Sequence, residues 1–196
     1  YCVPKQGGGA YLSRALIESR MSADRPVIRY EGTAQFNNKP EQQRRQVIDD
    51  WCKAILLPLL NELNPSHGHA FGEDFARSGD LTVFAPMALT QTLQRDVPFL
   101  VELKNVPFKQ QEQILFYIID RLPKFIAGKF DARGNGQYLA EQAAERYGGD
   151  RIEQVMLSQS WYLQNMPPFK ARFEDDEIIL PKDLDVLDDL RAIQVV

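Results

Sequence analysis

The chain has little cysteine and little histidine: Cys2, Cys52, His67 and His69 are all it carries in 196 residues. The cysteines stand far apart and match no metal-ligand spacing, so no disulfide framework is expected and a reducing, cytosolic setting is the simpler one. His67 and His69 share a loop with no third histidine or cysteine nearby. Zinc needs more ligands than that, and both side chains are read as solvated. There is no run of eighteen apolar residues and no signal peptide, which predicts a soluble chain. An initiator methionine is also missing, and the chain is read as a piece of something longer. Excess positive charge is absent too. The net charge of −4 and pI of about 5.3 exclude the basic stripe of a nonspecific DNA-coating protein. An enzyme that touches DNA through one local patch remains open.

Nucleotide-binding loops are missing. Gly7, Gly8 and Gly9 form a glycine run, but no Gly-Lys-Ser/Thr follows to place a lysine on phosphates. The run is read as a loop feeding a helix over 10–21, with Ala10, Arg14, Ile17 and Met21 on one face. Residues 26–30 (PVIRY) predict a short strand. From 41 to 63 the apolar residues Val47, Ile48, Trp51, Cys52, Ile55, Leu56 and Leu59 recur at three- and four-residue steps, so a helix is expected. Pro58 should kink or end it. The breaker NPSHGH at 64–69 marks a domain boundary, with 1–65 as a helical arm and 66–196 as the second unit.

What is present centres on residues 70–84. An apolar run ends at Asp74, a polar loop Arg77-Ser78-Gly79-Asp80 follows, and the β-branched run LTVF comes next. This reads as a hairpin, with Asp74 at a strand end and Asp80 across the turn from it. Further on, 98–106 predicts a third strand, 109–122 a helix and 124–130 a fourth strand. Asp131 then ends that strand before the turn ARGNG and a helix over 138–147. Asp131 is also what a turn aspartate bonding its own backbone looks like. Its recurrence with Asp74 at strand ends favours a site, because ligands gather at the carboxyl ends of parallel strands. A strand at 154–157, a helix-like stretch at 168–173 and an apolar run at 178–181 complete an α/β pattern, a mixed sheet with helices packed on it. The acidic run Asp183, Asp185, Asp188 and Asp189 is read as a solvated or capping face of a terminal helix.

Three stretches, GEDFARSGDLTVF, FDARGNGQYLAEQAAERYG and FEDDEIILPKDLDVLDDLRAI, resemble in this order and spacing the nuclease domain of Mu-like phage large terminase subunits. The resemblance covers roughly 70–196 and extends to the N-terminal arm, which looks like the end of the packaging ATPase and its linker. It implies an RNase H-like fold and Mg²⁺- or Mn²⁺-dependent cutting of concatemeric double-stranded viral DNA in the bacterial cytoplasm, with a portal and a small terminase subunit as partners and no membrane.

Carried over residue by residue, Asp74 matches the acid on the first strand, Asp80 the acid after the hairpin turn, and Asp131 the second strand-end acid. The family's remaining acid is expected beyond Val196. In a two-metal mechanism, with ions about 4 Å apart, Asp74 would bridge, Asp131 would hold one ion and Asp80 would complete the other. Arg77, Lys104 and Arg133 are candidates for phosphate contacts. Two other readings compete: an actin-like phosphotransferase, which lacks a glycine where amides must approach phosphate, and a non-catalytic docking module using the acidic C-terminal face.

Overall fold

A computed structural model describes residues 10–75, 81–134 and 136–193. The hairpin expected around Asp74 is formed by β3 (Gly68–Asp74) and β4 (Thr82–Leu89), paired antiparallel with Asp74 opposite Val83. Its turn, including Arg77 and Asp80, lies outside the described residues. β6 (Leu100–Lys104) adds antiparallel to the start of β4, and β7 (Phe125–Asp131) runs parallel to β3 on its other side. β8 (Ile152–Val155) then adds parallel to β7. The C-terminal ends of β3, β7 and β8 therefore open on one edge.

Residues before 66 join this sheet rather than standing apart from it. β2 (Val27–Glu31) pairs parallel with β6 along five residues, from Val27 opposite Leu100 to Glu31 opposite Lys104. Two-residue strands β1 (Met21–Ser22) and β5 (Arg95–Asp96) both pair with β9 (Ile178–Pro181), and β5 also meets the far half of β4. The path is β1-β9-β5-β4-β3-β7-β8, with β6 and β2 branching from β4.

Strand alternation gives the sheet two apolar faces, and helices cover both. One face presents Phe71, Phe84, Val101, Leu103 and Phe130. It is covered by α2 (Ala34–Asn37), α3 (Glu41–Trp51), α4 (Leu57–Asn61), α5 (Phe108–Ile119) and α6 (Gly136–Tyr147). The other face meets α1 (Arg14–Glu18), α7 (Gln159–Glu174) and α8 (Leu184–Ala192) through Leu12, Ile17, Leu100, Phe173, Leu180 and Leu187. The expected arm thus supplies Ile48, Cys52, Leu56 and Leu60 to the main core.

Three prolines behave differently from a simple helix break. Between α3 and α4 the chain stays helical through a π turn, Cys52–Leu56, immediately before Pro58. Widening the turn is one way to relieve the clash of a proline ring with the carbonyl four residues back. Pro167 and Pro168 lie inside α7, which runs from residue 159 rather than 168. The carbonyls they orphan belong to Leu163 and Gln164, both exposed, where water can serve them. Among the described residues no helix is long and apolar enough to cross a membrane.

Candidate metal-ion site at the strand ends

β3 and β7 are paired up to Glu73 opposite Phe130, and the next residue on each strand is an aspartate. Parallel neighbours lie about 4.8 Å apart, so the ladder brings Asp74 and Asp131 together at the edge, on the same face. The turn after Asp131 explains why the helix can start so close. Gly134 takes φ +54°, and a Cβ on Gly136 would stand 2.5 Å from the Asp131 carbonyl oxygen and 3.1 Å from the Phe75 Cβ. Glycine at 136 lets α6 begin directly against the strand end. Phe75 leaves the sheet toward the helices, stacking on Phe108 with ring centres 5.2 Å apart.

Asp74 senses its neighbour. Burial raises Asp74 above the usual carboxylate range, the charge on Asp131 raises it further, and Arg133 opposes both. Asp131 is 9% exposed. Its Oδ1 accepts from the Arg133 backbone N–H at 3.1 Å and from Arg133 Nε at 3.3 Å. The turn-aspartate geometry is therefore present in the same side chain that stands beside Asp74. Arg133 folds back onto this acid, with half its side chain exposed. Lys104 lies at the same end of the sheet, at the tip of β6, with Nζ 3.9 Å from Glu31 Oε1. Arg77 and Asp80 lie outside the described residues.

A third carboxyl group, Glu73, has no counterpart in the sequence reading. It points to the opposite face from Asp74, is 7% exposed, and its Oε2 accepts from the Asp131 N–H at 3.2 Å. Among the described residues its Oε1 has no hydrogen-bond partner. Burial, with the charges of Asp74 and Asp131 adding, pushes its pKa up to about 8 against the lowering effect of the Asp131 N–H. The signal was available: Phe71 faces inward, so residue 73 must as well.

A cavity of about 340 Å³ opens over the acid pair, walled by Gly72, Val83, Ala85, Val155, Leu157 and Trp161. A larger groove of about 900 Å³ lies between α3, α5 and α6. Neither Asp74 nor Asp131 lines it; both line the smaller cavity. Among the described residues no set of three or more His, Cys, Asp or Glu side chains is assembled to hold a metal ion. The donor chemistry of the pair nevertheless fits a hard divalent cation: two neighbouring carboxylates, with Asp74 raised by burial and by the charge on Asp131.

Glu102, Asp183, Asp185 and His69 are engaged within the chain. Asp74, Val83, Glu102 and Arg29 fall on one row across the sheet. Arg29 donates to Glu102 Oε2 at 2.7 Å, Asp183 Oδ1 at 2.9 Å and Asp185 Oδ2 at 3.1 Å. Asp183 also caps α8 through the Asp185 and Val186 N–H groups, as expected of a capping acid. The proposed docking face is thus partly engaged within the chain. His69 is fully buried rather than solvated; its Nδ1 lies 2.6 Å from the Pro123 carbonyl oxygen, and burial lowers its pKa.

The mixed sheet with helices on both faces can be compared with solved structures. The structure is similar to the large terminase nuclease of thermophilic phage G20c with bound magnesium (TM-score 0.55, 21% identity, 67% of each chain). It is also similar to the Thermus phage P74-26 large terminase nuclease domain (TM-score 0.51, 20% identity, 65% of this chain and 63% of that one). These neighbours confirm the RNase H-like fold. In sequence the chain is 48% identical to the probable terminase large subunit gp28 of Escherichia phage Mu, over 99% of its own length. It is 42% identical to the Mu-like prophage FluMu protein gp28 of Haemophilus influenzae, over its full length. No protein-family model matches it. The chain is homologous to a segment of the large terminase subunits of Mu-like phages, and spans between a third and two fifths of those relatives' lengths.

Proposed function

We propose that this chain carries the nuclease site of a phage DNA-packaging terminase, cutting concatemeric double-stranded DNA with Mg²⁺ or Mn²⁺ bound at Asp74 and Asp131. The observation that carries the reading is the placement of those two acids, one residue beyond the last paired position on adjacent parallel strands, with like charge raising Asp74. Asp80, six residues beyond Asp74, is assigned as the further ligand from the hairpin. When bound, a divalent cation supplies Lewis-acid stabilisation of the charge that develops on the phosphate.

The chain's own residues define the rest. Asp74 and Asp131 supply the oxygens that hold the cation, and their repulsion in its absence favours binding it. Arg133, poised on Asp131, is free to turn its remaining guanidinium N–H groups to a phosphate oxygen. Lys104 and Arg77 are the further candidates for backbone phosphates. The apolar wall of Val83, Ala85, Leu157 and Trp161 limits water beside the acids. In the full-length protein the partners would be the portal and the small terminase subunit, in the host cytoplasm.

The test is cleavage of supercoiled plasmid by this chain with Mn²⁺ or Mg²⁺, with a chelator control. Loss of cleavage and of Mn²⁺ binding in both Asp74→Asn and Asp131→Asn, in folded protein, supports the site. Cleavage unchanged in both variants refutes it.

A further inference from the structure

Two rows of side chains cross the sheet at the acid edge, on the face that carries Asp74. The outer row reads Val155, Asp131, Asp74 and Val83 across β8, β7, β3 and β4. The row one pleat further in reads Glu153, Lys129, Gly72 and Ala85. Glycine and alanine make a low floor there: a Cβ on Gly72 would meet nothing closer than the Ala85 Cβ at 3.8 Å. These small residues leave room for the cavity of about 340 Å³ over the acids, and Lys129 stands on its wall. Among the described residues that line the cavity, Lys129 is the only basic one. β7 is an interior strand, paired with β3 and β8, a setting in which lysine is depleted.

The ammonium of Lys129 is only weakly committed. Its Nζ lies 2.9 Å from Glu153 Oε2, directly across the β7–β8 pair, with 53% and 54% of the two side chains exposed. Ion pairs at that exposure are screened by water and readily exchanged. Lys129 and Asp131 are two residues apart on one face of the strand, about 6.6 Å from Cα to Cα. The flexible four-carbon stem of lysine covers that distance, so the ammonium can swing from Glu153 to an anion lying over the acid pair. The other basic candidates are less well placed. Arg133 is folded onto Asp131, and Lys104 stands on β6 beside Glu31.

We propose that Lys129 is a DNA-binding residue of this site: its ammonium takes a phosphate oxygen of the backbone laid over the cavity, and Glu153 holds it in the DNA-free protein. This rests on the reading of Asp74 and Asp131 as a divalent-cation site. The two features are complementary. The acid pair repels a phosphate until its charge is neutralised, whereas Lys129 attracts one directly. A phosphate contact carries no base information, so Lys129 adds affinity without sequence preference.

The experiment measures binding of a short fluorescent DNA duplex across a salt series, with Ca²⁺ in place of Mn²⁺, for wild type, Lys129→Met, Lys129→Arg and Glu153→Gln. Mn²⁺ titrations of Asp74→Asn and Asp131→Asn run alongside, and thermal melting checks that every variant is folded. Lys129→Met is expected to bind DNA about tenfold more weakly at low salt, as for loss of one charged hydrogen bond. It should also flatten the slope of log K against log salt by about 0.9, the share of one phosphate contact. In Mn²⁺-driven cleavage the loss should appear in KM with kcat unchanged, as for binding shared by the ground and transition states. Lys129→Arg should keep the wild-type slope. Glu153→Gln should bind DNA at least as tightly as wild type, because it releases the ammonium. Two results overturn the proposal. One is wild-type affinity and slope in Lys129→Met. The other is an equal loss in Glu153→Gln, which would make the ion pair itself the requirement. If the two acid variants lose Mn²⁺ while Lys129→Met binds DNA normally, the acid pair stands and the role given to Lys129 falls. If both acid variants bind Mn²⁺ normally, the acid-pair reading fails and the site assigned to Lys129 goes with it.

Discussion

Removing the charge at position 73 should stabilise the metal-free protein, and more so as the pH rises. Glu73 has a pKa of about 8 in the folded chain against 4.5 as a reference, raised chiefly by burial. A folded pKa above the unfolded one means that the group costs nothing below pH 4.5, where both states hold the proton. Stability is lost as the pH climbs from there toward 8, because the unfolded chain releases a proton that the folded chain must keep. Each pH unit in that window is about 1.4 kcal/mol. At pH 7 the deficit is on the order of 3 kcal/mol, and at 7% exposure solvent screening reduces it little.

Glutamine cannot ionise and keeps the acceptor for the Asp131 N–H. Glu73→Gln should therefore match wild type near pH 4.5 and exceed it by about 3 kcal/mol at pH 7, which for a chain of this size is roughly 5–10 °C in melting temperature. The assay is urea unfolding of both proteins, with chelator present, at half-unit steps from pH 4.5 to 8. Taking the difference cancels the other titrating groups. A difference that stays flat across that window would refute the reasoning, since it would mean Glu73 ionises normally and is not held as described.

Other outcomes follow from the same geometry. Gly136→Ala should shift the backbone at Asp131, because its Cβ would meet the Asp131 carbonyl oxygen at 2.5 Å. We expect about 1–3 kcal/mol of destabilisation and weaker Mn²⁺ binding; an unchanged melt and titration would show that the helix start has slack. Phe130→Ala empties a fully buried position stacked on Phe71 and should cost about 3–5 kcal/mol in urea unfolding. Arg29→Met leaves the buried Glu102 beside Asp183 and Asp185 without its cation. Burial already raises Glu102 and Arg29 opposes that rise, so the variant should lose on the order of 2 kcal/mol at pH 7. The loss should shrink toward pH 4.5, and Glu102→Gln in the Arg29→Met background should recover most of it.

The strand-end acids were legible in the sequence because their signals are local. Asp74 closes an apolar run before a polar turn, and Asp131 precedes ARGNG, so each strand end is written in the residues beside it. Asp183 was legible as a cap for the same reason. What was not legible depends on distant partners. β1 and β5 are two residues each, and only pairing with β9, more than eighty residues away from either, makes them strands. The segment before residue 66 reads as an arm because its helical pattern ends at a breaker, while its membership of the sheet rests on β2 meeting β6 seventy-three residues later. His69 looked like a loop residue until Pro123 from a separate strand connection supplied its acceptor. Glu73 was missed differently: its inward position follows from Phe71, but a carboxylate in a strand is read as solvent-facing unless alternation is allowed to overrule its polarity.

The most direct test of the acid-pair site is anomalous diffraction from crystals of this chain soaked in Mn²⁺. A peak within coordination distance of both Asp74 and Asp131, about 2.0–2.3 Å from carboxylate oxygens, is the predicted result. Fully ordered, adjacent carboxylates with no manganese between them at saturating concentration would contradict the account.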